Sequence, residues 1–125
     1  MAQFFFIQHS VQYAGGGRTH SQSAWQPAVD LYRCADGWLL KIELAGVRQE
    51  DIAIEVESRG ITVSGIRRDV RQSEQQETHL MEIAYSRFER FVALPEPVED
   101  TQLSAELREG MMYVRVRKFD GHQCP

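Results

Sequence analysis

Four histidines, two cysteines and a run of three glycines are the residues here whose types could support bond-making chemistry or hold a metal. His9, His20, His79 and His122 stand far apart with no His-Glu-x-x-His pair, and Cys34 and Cys124 form no Cys-x-x-Cys. A zinc site therefore has no local ligand grouping. Gly15, Gly16 and Gly17 precede Arg18-Thr19 instead of Gly-Lys-Ser/Thr, so they do not make a phosphate loop. A Gly-x-Ser-x-Gly elbow is missing too. Catalysis needs a nucleophile with a base in reach, a metal, or paired carboxylates in a pocket. The expectation is a non-enzyme with no cofactor.

Two basic groups, Arg67, Arg68, Arg71 and Arg115, Arg117, Lys118, could meet nucleic acid. Single-strand binding asks for basic residues interleaved with aromatics on one strand face, yet only Tyr113 and Phe119 flank the second group, and Asp69, Glu109 and Asp120 dilute the field. Lys plus Arg is 14 against 18 Asp plus Glu, a net charge of -4, which disfavours phosphate-dominated binding. These groups read as solvated strand faces or salt bridges between subunits, and no nucleic-acid partner is expected. Apolar runs such as residues 4–7 and 111–114 fall far short of the roughly 20 residues that span a bilayer, so no membrane partner is expected either. No Lys or Arg precedes Arg18 and no apolar stretch of signal-peptide length occurs there, so the expected location is the cytoplasm. With Cys124 in a polar tail, no disulfide framework is readable and the two cysteines are expected as free thiols.

The elements that must position these residues fit into one globular domain: the chain has 125 residues, 42% hydrophobic and 26% charged. A chain of this size buries roughly two thirds of its unfolded surface, so no staple is required. Residues 1–24 lack any period and read as a flexible arm. Within it Phe4, Phe5, Phe6 and Ile7 are either an edge strand closing on the core or a sticky segment offered to another chain. Beyond Trp25 the pattern alternates. Trp38, Leu40, Ile42 and Leu44 share one face, Ile52, Ile54 and Val56 another, and Ile61, Thr62 and Val63 are β-branched throughout. Residues 28–32 lead through Asp36-Gly37 into the strand at Trp38 as a hairpin.

A long polar connection, residues 67–79, has Val70 as its only aliphatic member; loops of this length in compact domains are usually functional or disordered. Leu80, Met81, Glu82 and Ile83 then have the character of a short strand with no place in their own sheet, which suggests pairing with the edge of another subunit. Residues 88–94 form the next strand, stopped by Pro95 and Pro97. Residues 100–110 are ambiguous. Asp100 could cap a helix carrying Leu103 and Leu107, with Gly110 beyond its end, and the local pattern slightly favours this, yet Leu103, Ala105 and Leu107 also alternate. Met112, Val114 and Val116 mark a final strand. The fold class is all-β, a sandwich of about seven short strands.

Trp25-Gln26-Pro27-Ala28-Val29-Asp30, and Glu43-Leu44-Ala45-Gly46 followed by Asp51-Ile52, are similar to the opening Trp-x-Pro-x-x-Asp and to the Glu-Leu-Pro-Gly turn and Asp-Ile of the α-crystallin domain of small heat shock proteins, the family that residues 25–118 resemble. Residues 60–65 read Gly-Ile-Thr-Val-Ser-Gly, and residues 82–90 resemble Glu-x-x-Tyr-Gly-x-Phe-x-Arg. Leu94-Pro95 and residues 105–112 resemble Leu-Pro and Ala-x-Leu-x-x-Gly-Val-Leu. Each piece is weak alone; their order and spacing are specific. Ala45 stands for the turn proline, Ser86 for a glycine and Met111-Met112 for Val-Leu, all read as tolerable.

The resemblance implies an immunoglobulin-like β-sandwich in which the Ala105-Glu106-Leu107 segment is strand, not helix, with a long loop carrying a swapped dimerisation strand. It implies an ATP-independent holdase that binds unfolding client proteins. The strand Leu80, Met81, Glu82, Ile83 and Ala84 would cross to a partner and pair with Ala28, Val29, Asp30, Leu31 and Tyr32, with Arg90 near this homodimer interface. Client or arm binding would fall to Phe4, Phe5, Phe6 and Ile7, and to the groove between Ile52, Ile54, Val56 and Leu103, Ala105, Leu107. Residues 119–125 form a short tail without the family's Ile-x-Ile/Val motif, so a dimer or small oligomer is expected, with the groove open or filled by residues 4–11. The rival reading is a co-chaperone-like adaptor of the same sandwich fold, for which the loop from Arg67 to Ser86 would have no use.

Overall fold

The computed structural model describes residues 24–70, 73–98 and 101–118 and, of residues 3–5, the backbone alone. Among these residues the strands are β1 (Gln3–Phe5), β2 (Val29–Cys34), β3 (Gly37–Glu43), β4 (Ile52–Glu57), β5 (Gly60–Arg67), β6 (Ser86–Ala93), β7 (Thr101–Arg108) and β8 (Met111–Lys118), with a 3-10 turn at Gln49–Asp51. They form two sheets, ordered β1-β7-β8-β3-β2 and β4-β5-β6, in which every neighbouring pair is antiparallel. The chain is an all-β sandwich.

Alternation explains the layers. Leu40 and Ile42 on β3 stand opposite Val114 and Met112 on β8, and all four are fully buried. From the other sheet Ile54 and Val56 of β4, Ile61 and Val63 of β5, and Phe88 and Val92 of β6 are buried too, so each strand sends every second side chain inward. Phe88 lies opposite Gly65. A Cβ at Gly65 would stand 2.8 Å from the Phe88 ring and 2.0 Å from the Asp51 carbonyl oxygen, so glycine is what lets the ring lie flat on β5.

The helical pattern over residues 100–110 is overturned: Thr101–Arg108 is strand β7, paired along its whole length with β8. Ala105 is buried while Leu103 and Leu107 pack against the core cluster, so one face of the strand satisfies the same apolar residues that a helix would have striped. Tertiary context outweighs local preference here. The turn into β8 has Glu109 at φ 52° and Gly110 at φ 79°, a double left-handed turn whose twist matches the flanking strands.

Residues 80–84, the segment expected to have no place in its own sheet, pair with no strand of this chain among the described residues. Two other expectations change. The first edge strand is displaced slightly: Ala28 precedes β2, its carbonyl accepting the Glu43 amide at 3.0 Å. Cys34 is disulfide-bonded, not a free thiol. Cys34 adjoins the β2–β3 turn, where the end of β8 also arrives: the Lys118 amide donates to the Asp36 carbonyl at 2.7 Å.

Ser86, which opens β6, has φ 73°. A Cβ in this left-handed region costs about 1–2 kcal/mol, part of which glycine gives back through its freer unfolded chain. Ser86→Gly is therefore expected to stabilise the fold by about 0.5–1 kcal/mol, seen as a higher urea midpoint at unchanged slope. A lower midpoint would contradict the strain.

Candidate functional site

The open side of the molecule is built from β2, β6 and the loop between β5 and β6. β2 is the free edge of its sheet. Val29 and Leu31 turn toward the core cluster, while Asp30 and Tyr32 face out. Lys41 on β3 sits 3.6 Å from the Asp30 carboxylate and over the Tyr32 ring, so the edge presents a charged, aromatic outer face and unpaired backbone groups. The loop carries the opposite kind of surface. Leu80, Met81 and Ile83 are 78%, 59% and 61% exposed, a cluster of apolar side chains that water would otherwise be spared.

Trp25 closes the base of that loop. Its amide donates to the Arg87 carbonyl at 3.1 Å, its carbonyl accepts the Glu89 amide at 3.2 Å, and its indole N–H donates to the Ser86 carbonyl at 3.3 Å. Its ring packs on Phe88, centroids 5.1 Å apart. On the other face the Arg67 guanidinium lies 4.2 Å from the ring centroid and donates to the Ala84 carbonyl at 2.9 Å, a cation–π contact strengthened by its partial burial. Both ends of the loop are thus tied to one indole. Arg67 had been read as part of a solvated basic group; the signal that could have found it is its place as the last residue of β5, opposite Ser86.

A second tie holds the start of the loop. Arg68 donates two bonds of 2.9 Å to the Asp51 carboxylate, and this fork holds the Asp51 carboxyl below its ordinary value of 3.8. A carboxyl that titrates lower when folded stabilises the fold above its ordinary pKa and loses that contribution as pH falls through the lowered one. NMR titration of Asp51 is expected to give a midpoint below 3.8 that rises in Arg68→Ala; no rise in the variant would contradict the link.

Arg90 is the unusual member of the site. Opposite Val63 on β5, it shares the core-facing row of β6 with buried Phe88 and Val92. It is half-buried, and no ion pair or hydrogen bond of its side chain is found among the described residues. The groove residues lie on the other rim. Ile54, Val56 and Ala105 are buried, and Ile52, Leu103 and Leu107 pack against the same cluster. β1 adds to the β7 edge there, with Gln3 opposite Leu107 and Phe5 opposite Ala105. Phe6 and Ile7 lie outside the described residues.

Residues 30–123 match the sequence model of the Hsp20/alpha crystallin family. The chain belongs to this family. The alpha crystallin match covers β2 through β8, the sandwich and the loop together. Among relatives, small heat shock protein C2 of Rickettsia felis is 26% identical over 92 residues, covering 74% of this chain and 60% of that protein. The 21.9 kDa heat shock protein of Oryza sativa subsp. japonica is 30% identical over 135 residues, covering 96% of this chain and 66% of that protein. This alpha crystallin chain thus spans about three fifths of the Rickettsia relative. Among solved structures, HSP18.5 from E. histolytica superposes with TM-score 0.63 at 25% identity, over 82% of this chain and 96% of that one. Heat shock protein 16.0 from Schizosaccharomyces pombe does so with TM-score 0.69 at 23% identity, over 81% and 94%, a likeness of fold.

Proposed function

We propose that the chain is an ATP-independent holdase of the cytoplasm, working as a homodimer in which residues 80–84 of each subunit pair with β2 of the other. The observation that carries this reading is the pairing of two unmet needs on one molecule: a free edge at β2 and an extended segment whose Leu80, Met81 and Ile83 stand in solvent. Strand addition satisfies both at once, supplying ladder bonds to β2 and burial to the aliphatic side chains at about 25 cal/mol per Å². Arg90, half-buried and without an acceptor among the described residues, is the group that a partner subunit would complete.

Clients are unfolding proteins, recognised by the exposed apolar segments and backbone they share. Phe4, Phe5, Phe6 and Ile7 of the arm, residues 1–24, together with the rim of Ile52, Leu103 and Leu107 over buried Ile54, Val56 and Ala105, are the surface proposed to take them. β1 supports this by showing that the β7 edge accepts an added strand. The adaptor reading is less favoured, since it leaves the loop fastened by Trp25 and Arg67 without a use. Addition of the full chain to a heat-aggregating client without ATP, at substoichiometric to equimolar ratios, is expected to suppress turbidity, and a chain lacking residues 1–24 to suppress it less. Unchanged aggregation with the full chain would overturn the holdase.

A further inference from the structure

We propose that the outward face of β7 and β8 carries a binding site for a phosphate group, built from Arg115 and Arg117 on one strand and Ser104 and Gln102 on the other. The register places these four together. Arg115 stands opposite Ser104 and Arg117 opposite Gln102. Val114 and Val116 are buried, so the alternation of β8 turns both arginines outward. On β7 Ala105 is buried while Gln102 and Ser104 are exposed. Directly opposed side chains start about 5 Å apart, and those two residues apart on a strand about 7 Å. Two guanidinium groups can therefore meet around one oxyanion.

What marks this patch is that its donors lack acceptors. Other cations of the same face are already used: Lys41 lies 3.6 Å from the Asp30 carboxylate, and Arg108 lies 3.8 Å from Glu106. Lys118, next in sequence, is bonded to Glu96. By contrast, the side chains of Arg115, Ser104 and Gln102 make no ion pair or hydrogen bond among the described residues. Arg117 has only Asp36, at 3.9 Å, and its buried Nε lacks an acceptor. Asp36 is 2% exposed, whereas 33% of the Arg117 side chain stays open to solvent, so Asp36 reduces the charge of the patch without being offered to a ligand. Two like charges side by side repel each other, and an anion between them reverses the sign of that contribution.

The geometry selects the anion. Guanidinium forks match the paired oxygens of phosphate, and each such bond is charge-assisted. The Ser104 hydroxyl and the Gln102 amide supply neutral donors for the oxygens that the arginines leave. A nucleic-acid strand fits less well, since it asks for successive open aromatic faces. Here Arg108 already lies 4.9 Å from the Tyr113 ring centroid and Lys41 lies 5.4 Å from that of Tyr32. The ligand is a phosphate group, carried by the free ion or by a phosphorylated side chain.

The full chain, titrated with sodium phosphate or with a phosphoserine peptide of otherwise neutral residues, tests this at an ionic strength held constant with sodium chloride. Backbone amide signals of residues 102–104 and 115–117 are expected to shift saturably, and the thermal midpoint to rise with phosphate and not with acetate. Arg115→Gln should weaken binding about ten- to a hundredfold, and Ser104→Ala should weaken it less. Arg108→Gln, which removes a cation already paired, should leave it unchanged. A peptide that binds at least as tightly as phosphate assigns the site to phosphorylated side chains; phosphate binding without the peptide assigns it to the free ion. Equal effects of acetate, shifts spread over the whole surface, or undiminished affinity in Arg115→Gln would overturn the site. A single-stranded oligonucleotide bound about a hundredfold more tightly than phosphate would overturn it in favour of a nucleic-acid surface.

Discussion

In the proposed homodimer, Arg90→Ala is expected to leave a folded monomer. The argument is one of unmatched charge. Arg90 lies on the core-facing row of β6 between Phe88 and Val92, and its side chain makes no ion pair or hydrogen bond among the described residues. In the proposed dimer its acceptor comes from the partner subunit, and removing the guanidinium leaves that acceptor desolvated and unpaired. Truncating one member of such a pair costs about 2–5 kcal/mol, or roughly 30-fold to several thousandfold in dissociation constant. Sedimentation equilibrium measures this directly. The melting temperature of the isolated subunit should barely move, and Arg90→Lys should fall between, keeping the charge but losing the planar fork. A variant that dimerises as tightly as the parent and suppresses aggregation equally well would remove Arg90 from the interface.

Phe88→Ala should do the opposite, damaging the subunit first and the assembly as a consequence. The ring is 2% exposed, packed at a 50° tilt against Trp25 and close to Gly65. Its removal costs about 3–5 kcal/mol, a large part of the 5–15 kcal/mol typical of a whole domain. Urea unfolding should show that loss, and Phe88→Leu should recover more than half of it. Intrinsic fluorescence should also change before global unfolding, because the Trp25 indole loses its neighbour. A loss below about 1 kcal/mol would mean that the pocket refills.

The sandwich was legible because period-2 patterns such as Leu40, Ile42, Leu44 and Met112, Val114, Val116 survive intact in the fold. Residues 101–108 were not legible locally. Leu103 and Leu107 satisfy both a helical and a strand spacing, and only pairing with β8 decides between them. The loop was legible as a polar stretch ending in an apolar one, but its fastening was not. Arg67 and Arg68 look alike in sequence, and only the fold sends one to Trp25 and the other to Asp51. Ser86 appeared a mild replacement for glycine because sequence records side-chain size and says nothing of φ.

The fastening at Trp25 makes the molecule a simple machine. One residue holds β6 by two backbone bonds and carries Arg67 on its ring, and the peptide bond on its N-terminal side joins it to everything that precedes it. In the proposed holdase, tension from a client held by the preceding segment is therefore applied at the pin that retains the loop.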